Sequence, residues 1–305
     1  MQFRLTSLMI VVTALGGGAG AIAQDGGAKV NPEQPRAATG AVALGPDDVR
    51  AFPVPPAGFA DVQSGVAQGR VEAFAYDSPV TGTRRTASVY LPAGYSSERR
   101  YPVLYLLHGI AGNQDEWRGY VHATTILDNV IAAGRAVSMI VVMPNGRALA
   151  DDRPPPGERT FTPQHVAGFA KFERELLDTL IPAVDKRYAT LADGRQRAIA
   201  GLSMGGGQAL NFGLGHLDTF AWVGGFSSAP NAKTAGELLG GRADGKLRLL
   251  YLSCGNKDGL IKGSQAFHRY LKAHQIAHVW NVDEYGHDRE SWTENLYNFA
   301  QLVFK

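Results

Sequence analysis

Two runs, VLYLL at 103–107 and MIVVM at 139–143, are apolar or aromatic at every position. A strand wet on one face alternates with period two. A run that does not alternate must be buried on both faces, the condition of a parallel strand sandwiched between helices. The stretch between them agrees, because ATTILDNVIAAG (123–134) has helical spacing and stops at a glycine. Further along, Phe169, Phe172, Leu176 and Leu180 mark one face of a long helix ending near Tyr188. RAIAG (197–201), AWVGGF (221–226), LRLLYLSC (247–254) and HVWNVDEY (278–285) read as four more strands. VEAFAYD (71–77) and RTASVYL (85–91) read as strands that open the sheet, with antiparallel pairing open to them. A helix with Leu260, Phe267, Tyr270 and Leu271 on its apolar side precedes the last strand. The closing helix repeats Trp292, Leu296, Phe299 and Val303 at spacings of four, three and four. Strands alternating with helices predict an α/β domain whose mostly parallel central sheet is covered on both faces.

That domain is expected over 66–305, preceded by two segments of other character. MQFR, the apolar LTSLMIVVTALGG and the small residues AIA at 21–23 have the layout of a signal peptide cleaved after Ala23. The apolar stretch is shorter than the roughly 20 residues a membrane span needs. A secreted or periplasmic location follows as an expectation, with no membrane contact for the mature form. Residues 24–65, rich in Pro, Gly and Ala, show no sustained period and read as a disordered linker. Beyond Ala23 the chain holds 29 basic and 28 acidic residues, since Arg4 is the only charge before it among 30 and 28 in all. Such a balance exerts no long-range pull on nucleic acid. The single cysteine, Cys254, has no partner for an internal disulfide.

Strand 197–201 runs into GLSMGGGQ. Gly201, Ser203 and Gly205 fit the G-x-S-x-G corner that holds a nucleophilic serine between a strand and a helix. In a parallel sheet, reactive groups gather beyond the carboxyl ends of the strands. Asp258 lies just past strand 247–254, and His287 just past strand 278–285. The order Ser203, Asp258, His287 is that of an α/β-hydrolase triad, which makes the α/β-hydrolase fold the expected architecture. Each residue has a plainer reading: the serine or Asp258 could cap a helix, and His287 could be a surface histidine. What singles them out is their joint placement at three strand ends.

Other candidates fit less well. His268 and His274 fall in the apolar-faced helix, His278 opens a strand, and His216 follows the serine helix too closely. Asp283 and Glu284 lie within the last strand, and Asp288 is placed to cap the final helix. There is no H-E-x-x-H and no cysteine pair, so no metal is expected, and the chemistry needs no cofactor. Attack by Ser203 on an ester creates an oxyanion that backbone N–H groups must meet. The amide of Met204 is one expected donor. The amide of Ile110 in LLHGIAGN (106–113) is the other, with Gly109 allowing close approach and His108 a structural hydrogen-bonder. Trp117, Tyr120, Phe161 and Phe226 are the aromatics expected to contact substrate, while Trp292 belongs to the core.

Six segments carry a resemblance: YPVLYLLHGIAGNQDEW, VVMPNG, FERELLDTLIPAVDKRY, RAIAGLSMGGGQALNFGL, LSCGNKDGLI and YGHDRESWTENLYNFAQLVF. From about residue 68 onward the chain resembles the putative-esterase family, and within it family 1 of the carbohydrate esterases, the feruloyl esterase domains of bacterial xylanases. The family's nucleophile, acid and base fall on Ser203, Asp258 and His287. The resemblance implies a secreted serine esterase acting on feruloylated or acetylated plant polysaccharide or oligosaccharide. Feruloyl esterase is the leading expectation and acetyl xylan esterase the alternative. A catalytically silent carbohydrate-binding protein on the same fold is the expectation of a different class. The proline-rich stretch 146–168 departs from the family pattern and is a candidate lining of the acyl pocket.

Overall fold

The computed structural model describes residues 43–240 and 245–305. The expected signal peptide and residues 24–42 of the expected linker lie outside them. Eight strands form one sheet: β1 (Arg70–Ser78), β2 (Thr83–Leu91), β3 (Val103–Leu107), β4 (Ile140–Pro144), β5 (Arg197–Leu202), β6 (Trp222–Phe226), β7 (Leu249–Gly255) and β8 (Val279–Asp283). Their spatial order is β1-β2-β4-β3-β5-β6-β7-β8. Pairing is antiparallel for β1 with β2 and β2 with β4, and parallel everywhere else. From β3 the chain moves outward to β4 and then returns to place β5 on the other side. The β3/β5 boundary is therefore the switch point, where such sheets open a crevice at the carboxyl ends of their strands.

Among the described residues eight α-helices accompany the strands, seven between strands and the last after β8: α1 (Glu116–Gly119), α2 (Ala123–Ala132), α3 (Pro163–Glu175), α4 (Ile181–Arg187), α5 (Ser203–Gly215), α6 (Ala235–Leu239), α7 (Ile261–Ala273) and α8 (Arg289–Ala300). The β3 run shows why the strands read as unbroken apolar stretches. Val103, Tyr105 and Leu107 join one core cluster with Phe172, Leu210 and Phe267, while Leu104 and Leu106 join the other with Ile126, Trp292 and Phe299. Alternation is still present, but both faces are dry. The long helix expected to end near Tyr188 is α3 and α4 joined by a π-helical turn, Leu176–Leu180. Pro182, in the first turn of α4, has no N–H for an i−4 bond, and the wider turn absorbs that loss.

Two boundaries differ from expectation. The insert expected over 146–168 gives way to α3 at Pro163, a residue suited to a first helical position. The described part of the expected linker packs on the domain. Asp48 accepts from Trp280 Nε1 (2.9 Å), Val282 N–H donates to the Val49 carbonyl (3.1 Å), and Asn129 donates to the carbonyls of Phe59 and Asp61. Strand β8 lies at the sheet edge, and this strap supplies partners its exposed backbone otherwise lacks. Pro and Gly content signalled missing periodicity, which an ordered strap shares with a disordered linker.

Candidate active site

Ser203 opens α5 directly from β5 and has φ of 52°. A non-glycine residue in this left-handed region is strained, and the surroundings must hold it there. Glycine on both sides makes the corner possible. A Cβ on Gly201 would overlap the Gly205 carbonyl, and one on Gly205 would overlap the Leu107 carbonyl of β3. The corner therefore presses the serine against the neighbouring strand's end.

The register aligns the other strand ends with it. Gly201 lies beside Leu107 and Gly225, and Gly255 lies beside Asp283. His287 Nε2 is 3.0 Å from Ser203 Oγ, and His287 Nδ1 is 2.8 Å from Asp258 Oδ2. The structure thus brings the three expected residues into one hydrogen-bonded row. With its other oxygen Asp258 accepts from the Leu260 N–H (2.8 Å), a bond that closes the turn ahead of α7 rather than capping it, since Leu260 is the residue at the helix's cap. Burial alone would raise its pKa. The hydrogen bond and charge of His287, the Leu260 N–H and the Ser227 hydroxyl outweigh that and hold the carboxyl below its usual range. Ser227, buried just past β6, was not singled out from the sequence.

The two expected oxyanion donors can be oriented from their own peptide planes. The Ser203 carbonyl accepts from the Ala229 N–H (3.0 Å), so in the trans peptide the Met204 N–H points the opposite way. The Gly109 carbonyl is held by His108 Nδ1 (2.6 Å), which turns the Ile110 N–H away from the core in the same manner. His108 Nε2 accepts from the Gly146 N–H (2.8 Å), so Nδ1 carries the proton. Complete burial, together with the Arg147 charge, pushes the His108 pKa down to about 3, and the ring is a neutral tether.

Three further residues fix this loop. Arg147, fully buried, donates to the carbonyls of Ile110 (2.7 Å) and Gly112 (3.2 Å). The Gln208 side chain donates to the Gly146 and Phe169 carbonyls, tying α5 to the loop after β4. Glu116 accepts from the Gly109 N–H at 2.6 Å, and its carboxyl occupies the space a Cβ on Gly112 would need. Burial raises the Glu116 pKa against the lowering pull of the Gly109 N–H, His287 and Arg147. A signal for Arg147 existed: it is a charge three residues past the apolar strand β4, at the end where reactive groups collect. Replacing Glu116 by alanine should leave the Gly109 N–H without its partner, a loss of about 1–3 kcal/mol in loop positioning. Steady-state kinetics should show kcat down roughly 10- to 100-fold with KM little moved. Unchanged kcat would remove Glu116 from this role.

The expected substrate aromatics need correction. Trp117 is 1% exposed, its Nε1 donating to the Leu107 carbonyl, and Phe226 is 0% exposed among Trp117, Tyr251 and Phe299. Both are core residues. Phe161 is 51% exposed in a 3-10 turn, and Tyr120 is half-buried beside Trp292. The apolar group around the nucleophile is a different one. Phe169, Met204 and Ala229 form a small buried cluster, with Ile110, Val166 and Leu260 packed on it. Leu260, expected on the core face of its helix, instead precedes α7 and joins this cluster. Trp292 is in the core as expected, with its ring edge-on to His287 at 5.1 Å. Asp288 caps α8 by accepting from the Ser291 N–H.

Comparison with known proteins finds relatives of the chain in sequence and in structure. The sequence profile described as "Putative esterase" matches residues 78–298. An endo-1,4-beta-xylanase/feruloyl esterase of Xylanibacter ruminicola is 34% identical over 249 residues, 79% of this chain. The chain spans only 32% of that relative's length. An acetyl esterase of Caldicellulosiruptor saccharolyticus is 25% identical, covering 66% of this chain and 83% of its own. The CE1 ferulic acid esterase AmCE1/Fae1A of Anaeromyces mucronatus, solved in complex with ferulic acid, superposes with a TM-score of 0.74 at 28% identity. That match covers 82% of this chain and 96% of the other.

Proposed function

The chain belongs to the putative esterase family, a family of carboxylic ester hydrolases, and from that premise we propose that it is a serine esterase releasing hydroxycinnamic acids from plant cell-wall polysaccharide. The observation that carries the reading is the Ser203–His287–Asp258 row at 3.0 and 2.8 Å. His287 Nε2 takes the proton of Ser203 Oγ as the oxygen attacks the ester carbonyl. Asp258, kept ionised, holds Nδ1 protonated and steadies the imidazolium. The amides of Met204 and Ile110 meet the oxyanion. His287 then gives its proton to the departing sugar oxygen, and water hydrolyses the acyl-enzyme by the same route. The expected signal peptide supports action outside the cytoplasm, where such polysaccharide is met.

The acyl preference rests on the apolar cluster around Ser203 and on relatives named for ferulate. A phenolic ring buried there gains roughly 2–3 kcal/mol at about 25 cal/mol per Å². If retained in the transition state, this is a preference on the order of 30- to 150-fold in kcat/KM for hydroxycinnamoyl over acetyl esters. Hydrolysis of methyl ferulate, p-coumarate, sinapate and acetylated xylan in parallel measures it. Leu260→Ala should narrow the gap about 5- to 10-fold, mainly through the aromatic esters. The acetyl esterase relative favours a second reading, a short-acyl esterase. Equal or faster release of acetate would select it and leave the triad unchanged.

A further inference from the structure

A cavity of about 310 Å³ lies beside the His287 loop. Residues 54–61 of the strap form one wall, and His122, Tyr285, Arg289 and Glu290 form the other. We propose that this cavity binds the sugar carrying the ester, as a subsite for a neutral sugar residue on the leaving-group side. The proposal rests on the esterase reading above and adds where the alcohol half sits.

Position is the first argument. The apolar cluster of Ile110, Val166, Phe169 and Leu260 accounts for the acid half of the ester. The alcohol oxygen must lie within reach of His287 Nε2, which hands it a proton. A sugar bonded to that oxygen begins one or two bonds away, against the loop that carries His287. Tyr285 and Arg289 lie two residues to either side of His287, and both line the cavity. Tyr120 lies between the two regions: it ends α1, which carries Glu116 under the oxyanion loop, and its ring packs on Trp292, whose own ring meets His287 edge-on.

Chemistry is the second. Sugar hydroxyls need donors and acceptors together, and a sugar's C–H face packs on aromatic rings. Arg289 supplies donors and Glu290 acceptors, in a pair 3.2 Å apart and each about half exposed. Phe59 and Tyr285 supply rings. Arg289, the one arginine or lysine among the lining residues, is paired with Glu290, and Asp61 and Glu294 add acidic groups, so the wall has no unopposed positive charge to draw a phosphate or carboxylate. The size is at the low end of small-molecule sites, which run from about 300 Å³ upward.

The wall is also built rather than loosely draped. The strap is fixed by Asn129 at Phe59 and Asp61, by Asn281 at the Ala51 N–H (2.9 Å), and by Arg50 stacked over Tyr285 at 5.9 Å. On the opposite side His122 holds φ of 60°, a strained conformation that the surrounding packing maintains at the cavity edge.

The test compares methyl ferulate with a feruloylated arabinoxylo-oligosaccharide for the wild type, Arg289→Ala and Glu290→Gln. Loss of a charge-assisted hydrogen bond should raise KM for the sugar ester on the order of tenfold, with methyl ferulate kinetics unchanged. Feruloyl-free arabinoxylo-oligosaccharide should bind the wild type in NMR titration and bind Arg289→Ala more weakly. Equal effects on both esters, or none on either, would overturn the subsite. Failure of the wild type to cleave any hydroxycinnamoyl ester overturns the acyl assignment instead. In that case the titration alone decides the subsite: binding weakened by Arg289→Ala retains it, and absent or unaffected binding ends it.

Discussion

Ser203→Ala will lower kcat roughly a million-fold, about 8 kcal/mol of barrier, while the protein remains folded. The size follows from what the hydroxyl does. With it gone, His287 has no nucleophile to deprotonate, and only the oxyanion amides and the binding walls still act on the substrate. The fold should survive because the alanine keeps the Cβ and Ser203 Oγ is bonded to His287 rather than to the core. The left-handed φ of 52° is no easier for alanine than for serine, so a small loss of stability is compatible with this account. The check is kcat per mole of folded protein, with the near-ultraviolet circular dichroism of both proteins measured alongside. A fall of less than about a hundredfold in a folded variant would mean another group attacks.

Asp258→Asn should cost about 10⁴ in kcat. An amide at this position can donate to His287 Nδ1, which favours the tautomer with Nε2 protonated and unable to accept from Ser203. The second bond, from the Leu260 N–H, can persist through the amide oxygen, so the loop need not collapse. The same change removes a carboxyl held below its usual pKa. Such a group stabilises the fold at pH above its unfolded value of about 3.9, and that contribution fades only as pH falls through the lower folded value. Asp283 is the control. Its carboxyl accepts from Ser291 Oγ, Asn295 and the Tyr285 N–H, and burial raises its pKa against those bonds. It shapes the turn that carries His287 without touching the imidazole. Asp283→Asn should therefore lower stability with a much smaller loss in kcat, and the reverse ranking would reassign the acid.

The sheet was legible because burial on both faces leaves an unbroken apolar run, and β3 was located to the residue. The three polar residues of the site were legible for a related reason, since strand ends in a parallel sheet predict where side chains converge. The walls were not. Phe226 ends a strand at the active face, but side chains alternate along a strand, and its own points to the α8 side with Tyr251 and Phe299. Trp117 is close in sequence to the oxyanion turn, yet its indole turns inward to the Leu107 carbonyl. Phe169 and Val166, by contrast, reach Met204, the residue after the serine, only because α3 folds back over α5, a contact no local pattern records. Glu116 carries no signal in the sequence, and Arg147 is marked only by its place past an apolar strand. Only the fold shows each facing a backbone group that must be held. The strap failed for the opposite reason: its bonds go to β8 and α2, far along the chain.

The central claim is that Ser203 is an activated nucleophile, and covalent labelling tests it most directly. The protein should be treated with a fluorophosphonate, digested, and the modified residue mapped by tandem mass spectrometry. One adduct per chain on Ser203 is predicted, absent in Ser203→Ala and formed far more slowly in His287→Ala. No adduct on the native protein, or an adduct on any other residue, would contradict it.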